Sequence, residues 1–543
     1  MDGKENLRFR DLWLWVGIAL FWMMLPFVLA WLMTPADKFF MGVLANHNDF
    51  SGYTTAMRQG AEGEWLLHFY FSPESWQPQF VLFFYILMGK VIRPFSDNYA
   101  LWANVLRGLG LLGALWGIHF WLREALPGQR RQQLTAWLFT VFGGGLGWLL
   151  WPLTTPFNVP LRYFPDVAMP EWSTTLIAIN PPHYIWGMAL EALLFGSVLR
   201  MIRRENSWRW AGLTAVLALI LGIVYVYHLA VTAAIIGLYL LLLAYQQKQI
   251  PWRHWWQGVM IVLPLLPLLF YYGYWVNRDE AWATYVAGEL NHIPPPPVLG
   301  LLLGFGLLGI LAVIGSRRWW QQKRDWLLPA WVMGNLLVMY LPIVQYSGRF
   351  TMGLIIPVAT LAAYGLEESV LPYLQTTRFF TRLARYTPTP YDTTRRLALL
   401  FATPSTLLVI LFLIKNTATQ DDFPYYMPAH ERTAMLWLAE QVDEQAIVLA
   451  YYPVGNYLPG LGNVRVFMGH FGFTINFPEK AEMVEQFWQS QTSRAWREAF
   501  IEEWQITHIY VGQYERQLMQ SEVIPPGERV YDQDDIQIYE VMP

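Results

Sequence analysis

Two kinds of side chain in this sequence stand where they could do chemistry: carboxylates set among aromatic rings, and an arginine remote from other charges. The first polar stretch, NHNDFSGYTTAMRQGAEGEWLLHFYFSPESWQPQF (residues 46–80), holds Asp49, Glu62, Glu64 and Glu74 between two apolar segments. A solvated loop accounts for Glu62 and Glu64. Asp49 and Glu74 lie in HNDFSGY and FYFSPESW, where a carboxylate of suitable pKa could hold and deprotonate an acceptor hydroxyl. Rings beside a carboxylate also suit a sugar, because the apolar faces of pyranoses pack on Trp, Tyr and Phe. A second polar stretch, NVPLRYFPDVAMPEWSTTLIAINPPHYIWGMALEALLFG, repeats the theme with Asp166, Glu171 and His183.

The prolines of NPPHY mark a helix start, since proline is tolerated in a first turn. His183 in that turn could bond a phosphate or a sugar, or merely satisfy the helix end. Glu191, further along, is an intramembrane carboxylate, either a functional group or one paired inside the bundle. In LPIVQYSGRFTMGLIIPVATLAAYGLE, Arg349 is alone among small and apolar residues at a helix start. Its planar fork of donors matches phosphate oxygens, the plainer alternative being a side chain that snorkels to the interface. Gly348 and Gly353 would let a ligand approach the backbone. The stretch 276–297, with Asp279, Glu280, Glu289 and His292 before a proline run, reads as a plain connector or as a cover over a lipid groove.

These residues need elements to position them, and composition says of what kind. The 543 residues are 55% hydrophobic and 14% charged, with a mean hydropathy of +0.27, which marks a polytopic membrane protein. A spanning helix needs about 20 mostly apolar residues. Candidate spans lie near 12–33, 78–92, 99–122, 133–152, 181–199, 210–225, 228–245, 258–275, 298–314, 326–343, 350–370 and 397–414. The first has a basic flank and no small-residue cleavage site after it, so it reads as a retained helix. Arg and Lys gather in 200–209, 315–325 and 371–396, which the positive-inside rule assigns to the cytoplasm. The stretches 34–77, 153–180, 276–297 and 344–349 then face outward. Twelve full crossings would leave the C-terminus inside, whereas the basic stretch 371–396 followed by one helix puts it outside. One segment must therefore be broken, short or double. The four glycines in VFGGGLGWLLWPL make 133–152 the first candidate and the short 78–92 the second, so 11 to 13 crossings are expected.

Residues 1–414 thus form a helical membrane domain, and 415–543 a small water-facing one on the outer side. In the latter, HERTAMLWLAEQV has helical spacing, AIVLAYY, VRVFMG, THIYVG and IQIYEV read as strands, and EKAEMVEQFWQSQTSRAWREAFIEEW as one or two helices. The alternation predicts an α/β domain.

Several chemistries are excluded. With no cysteine there is no disulfide and no thiolate nucleophile. A net charge of −3 offers no field for nucleic acid. Phosphate-loop and zinc-protease motifs are missing, and FGGGLGW is not a dinucleotide-binding turn. The Asp421–Asp422 pair reads as a solvated linker.

NDFSGYTTAMRQG with Asp49, PPHYIWGMALEALLFG, LLLGFGLLGILAVIG, SGRFTMGLIIPVA with Arg349, and GNYLPGLGNVRVFMGHFGFT in the C-terminal domain together resemble the C-type membrane glycosyltransferases, the GT-C superfamily. The likeness is to bacterial relatives of the protein O-mannosyltransferases, enzymes of the cell envelope. It implies transfer of a hexose or pentose from a polyprenyl-phosphate donor to a lipid, glycan or protein acceptor on the outer membrane face. On that basis Asp49 is the catalytic base or acceptor-positioning acid and Arg349 the phosphate ligand, with Glu74, Asp166, His183 and His470 as further substrate-binding candidates. No nucleotide cofactor is implied. A lone Asp49 stands where an Asp–Glu pair is expected, which leaves acceptor and divalent-metal dependence open. The rival reading is a transporter or flippase of lipid-linked saccharides, which predicts paired half-helices and charges lining a two-sided path.

Overall fold

The computed structural model describes residues 5–204, 207–275, 278–279, 293–342, 346–443 and 445–541. Glu280, Glu289 and His292 of the proline-run connector lie outside these. The fold is mostly helical, and among the described residues nine helices are long and apolar enough to cross a membrane, from Phe9–Leu32 to Ser347–Gln375. A tenth candidate is the pair Pro390–Ala402 and Pro404–Thr419, bent by 44°. Two shorter apolar helices, Phe83–Ile92 and Leu327–Tyr340, stand where spans were expected. The ten residues of Phe83–Ile92 reach only about 15 Å, half a hydrocarbon core. Nine spans fall short of the expected 11 to 13 crossings; adding any two of the bent pair and the two short helices gives 11, and all three give 12. The chain is a multi-pass membrane protein.

Two compact units divide the chain. The first takes residues 1–26, 105–270 and 293–415, the second 27–104, 271–292 and 416–543. The second unit therefore joins the first polar stretch to the C-terminal residues, where sequence reading had drawn one boundary at 414/415.

In the first unit the glycine run does break a helix. Arg130–Phe142 ends at Gly143, and a new helix, Gly147–Thr154, begins after four residues. The backbone freed by the break is satisfied from three directions. Gly144 N donates to Ala402 O at 2.7 Å and Leu146 N to Leu303 O at 2.9 Å, while Gly145 N and Gly147 N donate to Asp166 Oδ2 at 3.0 and 2.9 Å. Ser405 Oγ donates to the same oxygen. An unsatisfied amide inside a membrane protein costs several kcal/mol, so this carboxylate is a structural clamp. Asp166 is fully buried, and burial lifts its pKa to about 6 against the pull of these donors. The sequence reading made Asp166 a substrate-binding candidate, and the structure places its Oδ2 on two backbone amides and the Ser405 hydroxyl.

The second unit is built on two sheets. Strand β1 (Lys38–Phe40) pairs antiparallel with β2 (Tyr426–Pro428), Lys38 opposite Pro428. The larger sheet holds β3 (Ile447–Leu449), β4 (Arg465–Val466), β5 (His508–Val511), β6 (Glu528–Gln533) and β7 (Ile536–Glu540) in the order β4-β3-β5-β7-β6. The β3 strand is parallel to β4 and β5, and β7 runs antiparallel to β5 and β6. Period-two alternation sorts its side chains. Val448 and Tyr510 pack with Met435 and Leu438 of helix Ala429–Gln441. On the other face, Leu449, Ile509 and Val511 meet Phe487 and Trp488 of helix Phe477–Trp488 and Phe500 of helix Arg494–Trp504. Ser493 caps the last of these by accepting from Trp496 N, which splits the long helical pattern in two.

Candidate functional site

In the second unit the site is organised around the start of helix His47–Glu62. Asn46 enters the left-handed region, with φ of 58°, and turns the chain into the helix. Asp49 then falls in the first turn, where the helix dipole favours a negative charge. The helix is held by a close crossing with Phe83–Ile92. A Cβ at Gly60 would come within 2.0 Å of Ile86 O, and one at Gly89 within 1.8 Å of Met57 O. Only glycine permits this approach.

His470 meets Asp49 from the C-terminal residues. Gly472 N donates to His470 Nδ1 at 3.0 Å, so the neutral ring carries its proton on Nε2, which faces Asp49 Oδ1 at 3.1 Å. The ring stacks on Phe471 and Phe473 at centroid distances of 4.8 and 4.4 Å and is edged by Phe71. The His470 side chain is 2% exposed and that of Asp49 22%. His470 therefore orients the carboxylate, and the acid is the member of the pair that solvent reaches. The residue before the acid is clamped too. Tyr452 Oη donates to Asn48 Oδ1 at 2.7 Å, Asn456 Nδ2 to Asn48 O at 3.4 Å, and Ser51 Oγ to Asn456 Oδ1 at 2.8 Å. Burial and the Asp49 charge raise the Tyr452 pKa, which keeps its phenol a donor. Burial lowers that of His47, with Asp49 opposing.

Glu74 does not join this group. Its oxygens take Lys480 Nζ at 2.6 and 2.7 Å and also the Ser72 hydroxyl. Lys480 is 2% exposed, beneath Phe467 and Trp504. Burial lowers its pKa and Glu74 opposes the change. Losing Glu74 would strand a buried ammonium, so the substrate-binding candidate Glu74 is also half of an ion pair. Glu62 pairs with Arg58 and Glu64 with His68, both acids about half exposed.

The first unit holds a separate group of candidate residues. Arg349 sits in the 3-10 turn Ser347–Thr351, ahead of helix Ile355–Gly365. Its side chain is 15% exposed. It is not solitary: Nη1 donates to Glu171 Oε1 at 3.2 Å and to Tyr184 Oη at 2.5 Å, and the guanidinium lies 5.2 Å from the Tyr227 ring centre. Tyr225 Oη bridges Glu171 Oε1 and Arg349 O at 3.3 and 3.4 Å. His183 packs on Tyr184 and Tyr225 at 4.6 and 5.9 Å. The structure thus brings His183 and Arg349 into one aromatic cluster. Burial raises the Glu171 pKa, opposed chiefly by Arg349.

Both contacts fall on Nη1, and among the described residues no hydrogen bond is made to Nε or Nη2. Those two donors form the fork that suits an oxyanion. The turn itself is rigidly held. Asn335 Nδ2 donates to Phe350 O at 2.7 Å, and Gly348 N to Ile293 O at 2.9 Å. Gly353, with φ of +76°, sits against Glu191, where a Cβ would be 1.7 Å from Oε2. Trp331 Nε1 donates to Glu191 Oε1 at 3.1 Å, and His228 Nδ1 is 3.5 Å from that oxygen. Inside the bundle Glu191 Oε1 thus accepts from Trp331, while among the described residues Oε2 has no hydrogen-bond partner.

Sequence reasoning named Asp49, Glu171, His183, Arg349 and His470, but not Tyr184, Tyr225, Tyr452 or Asn456, which hold them or their neighbours. Tyr184 adjoins His183 in NPPHY, and that adjacency was a usable signal. Nothing local marked Asn48, Tyr452 or Tyr225. Among the described residues no group of three or more His, Asp or Glu is placed to hold a metal ion.

No protein-family description matches the sequence, and no curated protein matches it. Solved structures do. The arabinofuranosyltransferase AftD from Mycobacteria superposes with a TM-score of 0.59 at 14% identity, over 100% of this chain and 40% of that one. The apo oligosaccharyltransferase of Archaeoglobus fulgidus gives 0.54 at 11% identity, over 92% and 69%. ArnT from Cupriavidus metallidurans, bound to undecaprenyl phosphate, gives 0.51 at 13% identity, over 97% of both chains. A likeness at such identities speaks of the fold, and it is one fold throughout: this chain has the architecture of the C-type (GT-C) membrane glycosyltransferases.

Proposed function

We propose that this protein is a membrane glycosyltransferase that moves a hexose or pentose from a polyprenyl-phosphate donor to a lipid, glycan or protein acceptor. The reaction takes place on the outer face of the membrane, where the C-terminal domain also lies. The observation that carries the reading is the Asp49–His470 pair, a carboxylate at a helix start oriented by a buried neutral imidazole, in a chain of GT-C architecture. Among proteins of like fold, ArnT has been solved with undecaprenyl phosphate, and the Archaeoglobus fulgidus oligosaccharyltransferase with dolichol phosphate and an inhibitory peptide.

The chemistry asked of the residues is a single displacement. The acceptor oxygen or nitrogen forms a bond to the anomeric carbon while the bond from that carbon to the phosphate oxygen breaks. Asp49 takes the acceptor proton, held in orientation by His470. Arg349 meets the negative charge that gathers on the departing lipid phosphate through Nε and Nη2, with Nη1 anchored by Glu171 and Tyr184. His183 borders that anion site.

The test is transfer of labelled sugar from a panel of polyprenyl-phosphate sugars by purified protein, wild type against Asp49→Asn, with gel filtration as the folding control. Loss of at least a hundredfold in the folded variant supports the reading. Full activity in Asp49→Asn removes it.

A further inference from the structure

The first unit also contains a cavity of about 550 Å³ that the proposed reaction does not use. It lies where three spans end together. Arg8 precedes the span Phe9–Leu32, and Arg123 and Arg200 occupy the last turns of Tyr99–Ala125 and Pro182–Arg203. All three arginines line the cavity. Apart from His119 and Ser197 the remaining wall is apolar, with Trp116, Leu213 and Leu217 among its residues.

Arg200 is fixed before any ligand arrives. Its guanidinium lies 4.5 Å from the Phe120 ring centre and 4.9 Å from that of Trp210, and Nε donates to Glu124 at 2.7 Å. The acids at this end are already engaged, Glu124 by Arg200 and Asp11 by Arg130 at 3.1 Å. The mouth therefore keeps an excess of positive charge over an apolar slot. Trp116 and Leu213 are 48% and 45% exposed, so the slot is open on its lipid side.

We infer that this cavity is a binding site for one anionic phospholipid, its phosphate between Arg8, Arg123 and Arg200 and an acyl chain in the slot. A zwitterionic lipid fits less well, because its choline would stand against the same arginines. Basic pockets between span ends select anionic headgroups in this way. By the distribution of arginine this end faces the cytoplasm, so the lipid is a structural partner rather than a sugar donor.

The test is native mass spectrometry of the full-length protein released from micelles containing equal phosphatidylglycerol and phosphatidylcholine. Wild type is expected to retain one phosphatidylglycerol with at least tenfold preference. Arg8→Gln with Arg123→Gln should bring the preference to within about twofold. The same charge loss on the exposed helix Arg378–Tyr386, as Arg378→Gln with Arg382→Gln, should leave it unchanged. Leu213→Trp, which narrows the slot without altering charge, should lower retention and stands in if the arginine variant misfolds. No preference in wild type, or an equal loss in the Arg378/Arg382 control, would overturn the inference. So would displacement of the lipid by equimolar glycerol phosphate, which carries the headgroup charge without a chain.

Discussion

Arg349 is both a proposed phosphate ligand and half of an ion pair, and a cycle of substitutions separates the two roles. Glu171 is 1% exposed and Arg349 15%. Replacing Arg349 by methionine, which fills similar space, leaves the Glu171 carboxylate buried with Tyr225 as its one side-chain donor among the described residues. Removing one partner of a buried pair costs about 3–5 kcal/mol, whereas replacing both is often nearly neutral. At roughly 2 °C per kcal/mol for a chain of this size, Arg349→Met should lower the apparent Tm in detergent by on the order of 5–10 °C. Glu171→Gln should cost less, since the amide keeps an acceptor for Tyr225 and Arg349 retains some exposure. The double variant should recover most of the loss, with a coupling of at least about 2 kcal/mol between the sites. Fluorescence-detected thermal unfolding of the four proteins gives the cycle. Additive losses with no coupling would refute the pair as drawn. Sugar transfer supplies the second readout: the double variant regains stability and not activity. If it regains both, Arg349 serves the fold alone.

Burial and the neighbouring Glu431 carboxylate raise Glu515 to about 7, so the folded state holds its proton more tightly than the unfolded chain does. The stability this contributes is complete below the ordinary value of 4.5 and lost as pH rises through about 7, on the order of 3 kcal/mol in all. Glu515→Gln should flatten the pH dependence of Tm between pH 4.5 and 8, and an unchanged slope would count against it. Asp166→Ala strips Gly145 N and Gly147 N of their acceptor and should cost about 2–6 kcal/mol, while Asp166→Asn costs markedly less. Equal Tm values for the two variants would deny the clamp. His470→Ala should lower kcat about 10- to 100-fold, the worth of a hydrogen bond to a charged group. His470→Gln, whose amide can stand in for Nε2–H, should stay within about fivefold of wild type. A matching loss in both would show that the imidazole does more than orient Asp49.

The helical architecture was readable because bilayer thickness writes itself into apolar run length, and the break after Phe142 because glycine at 143, 144, 145 and 147 cannot sustain a helix cheaply. Strands β3, β4, β5 and β7 were readable as short apolar runs, whereas β6, whose sequence ERVYDQ is mostly exposed, carries little apolar signal. What could not be read was pairing over distance. Arg349 looked solitary because Glu171 is 178 residues away. The acid at 49 and the histidine at 470 are 421 apart, and Glu74 and Lys480 are 406 apart. Asp166 looked like a binding acid for a related reason: its partners are backbone amides, which leave no mark in a one-letter sequence. The β1–β2 pairing that ties Lys38–Phe40 to Tyr426–Pro428 is likewise three residues long and falls below any periodicity test.

The central claim is that the carboxylate of Asp49 activates an acceptor for sugar transfer from a lipid phosphate. The most direct measurement is single-turnover transfer of labelled sugar from polyprenyl-phosphate donors by the protein in lipid nanodiscs, comparing wild type, Asp49→Asn and Asp49→Glu. Wild type should transfer sugar from at least one donor, Asp49→Asn should release none to acceptor while still binding the donor, and Asp49→Glu should keep a slow residual rate. Wild-type rates in a folded Asp49→Asn would contradict the account.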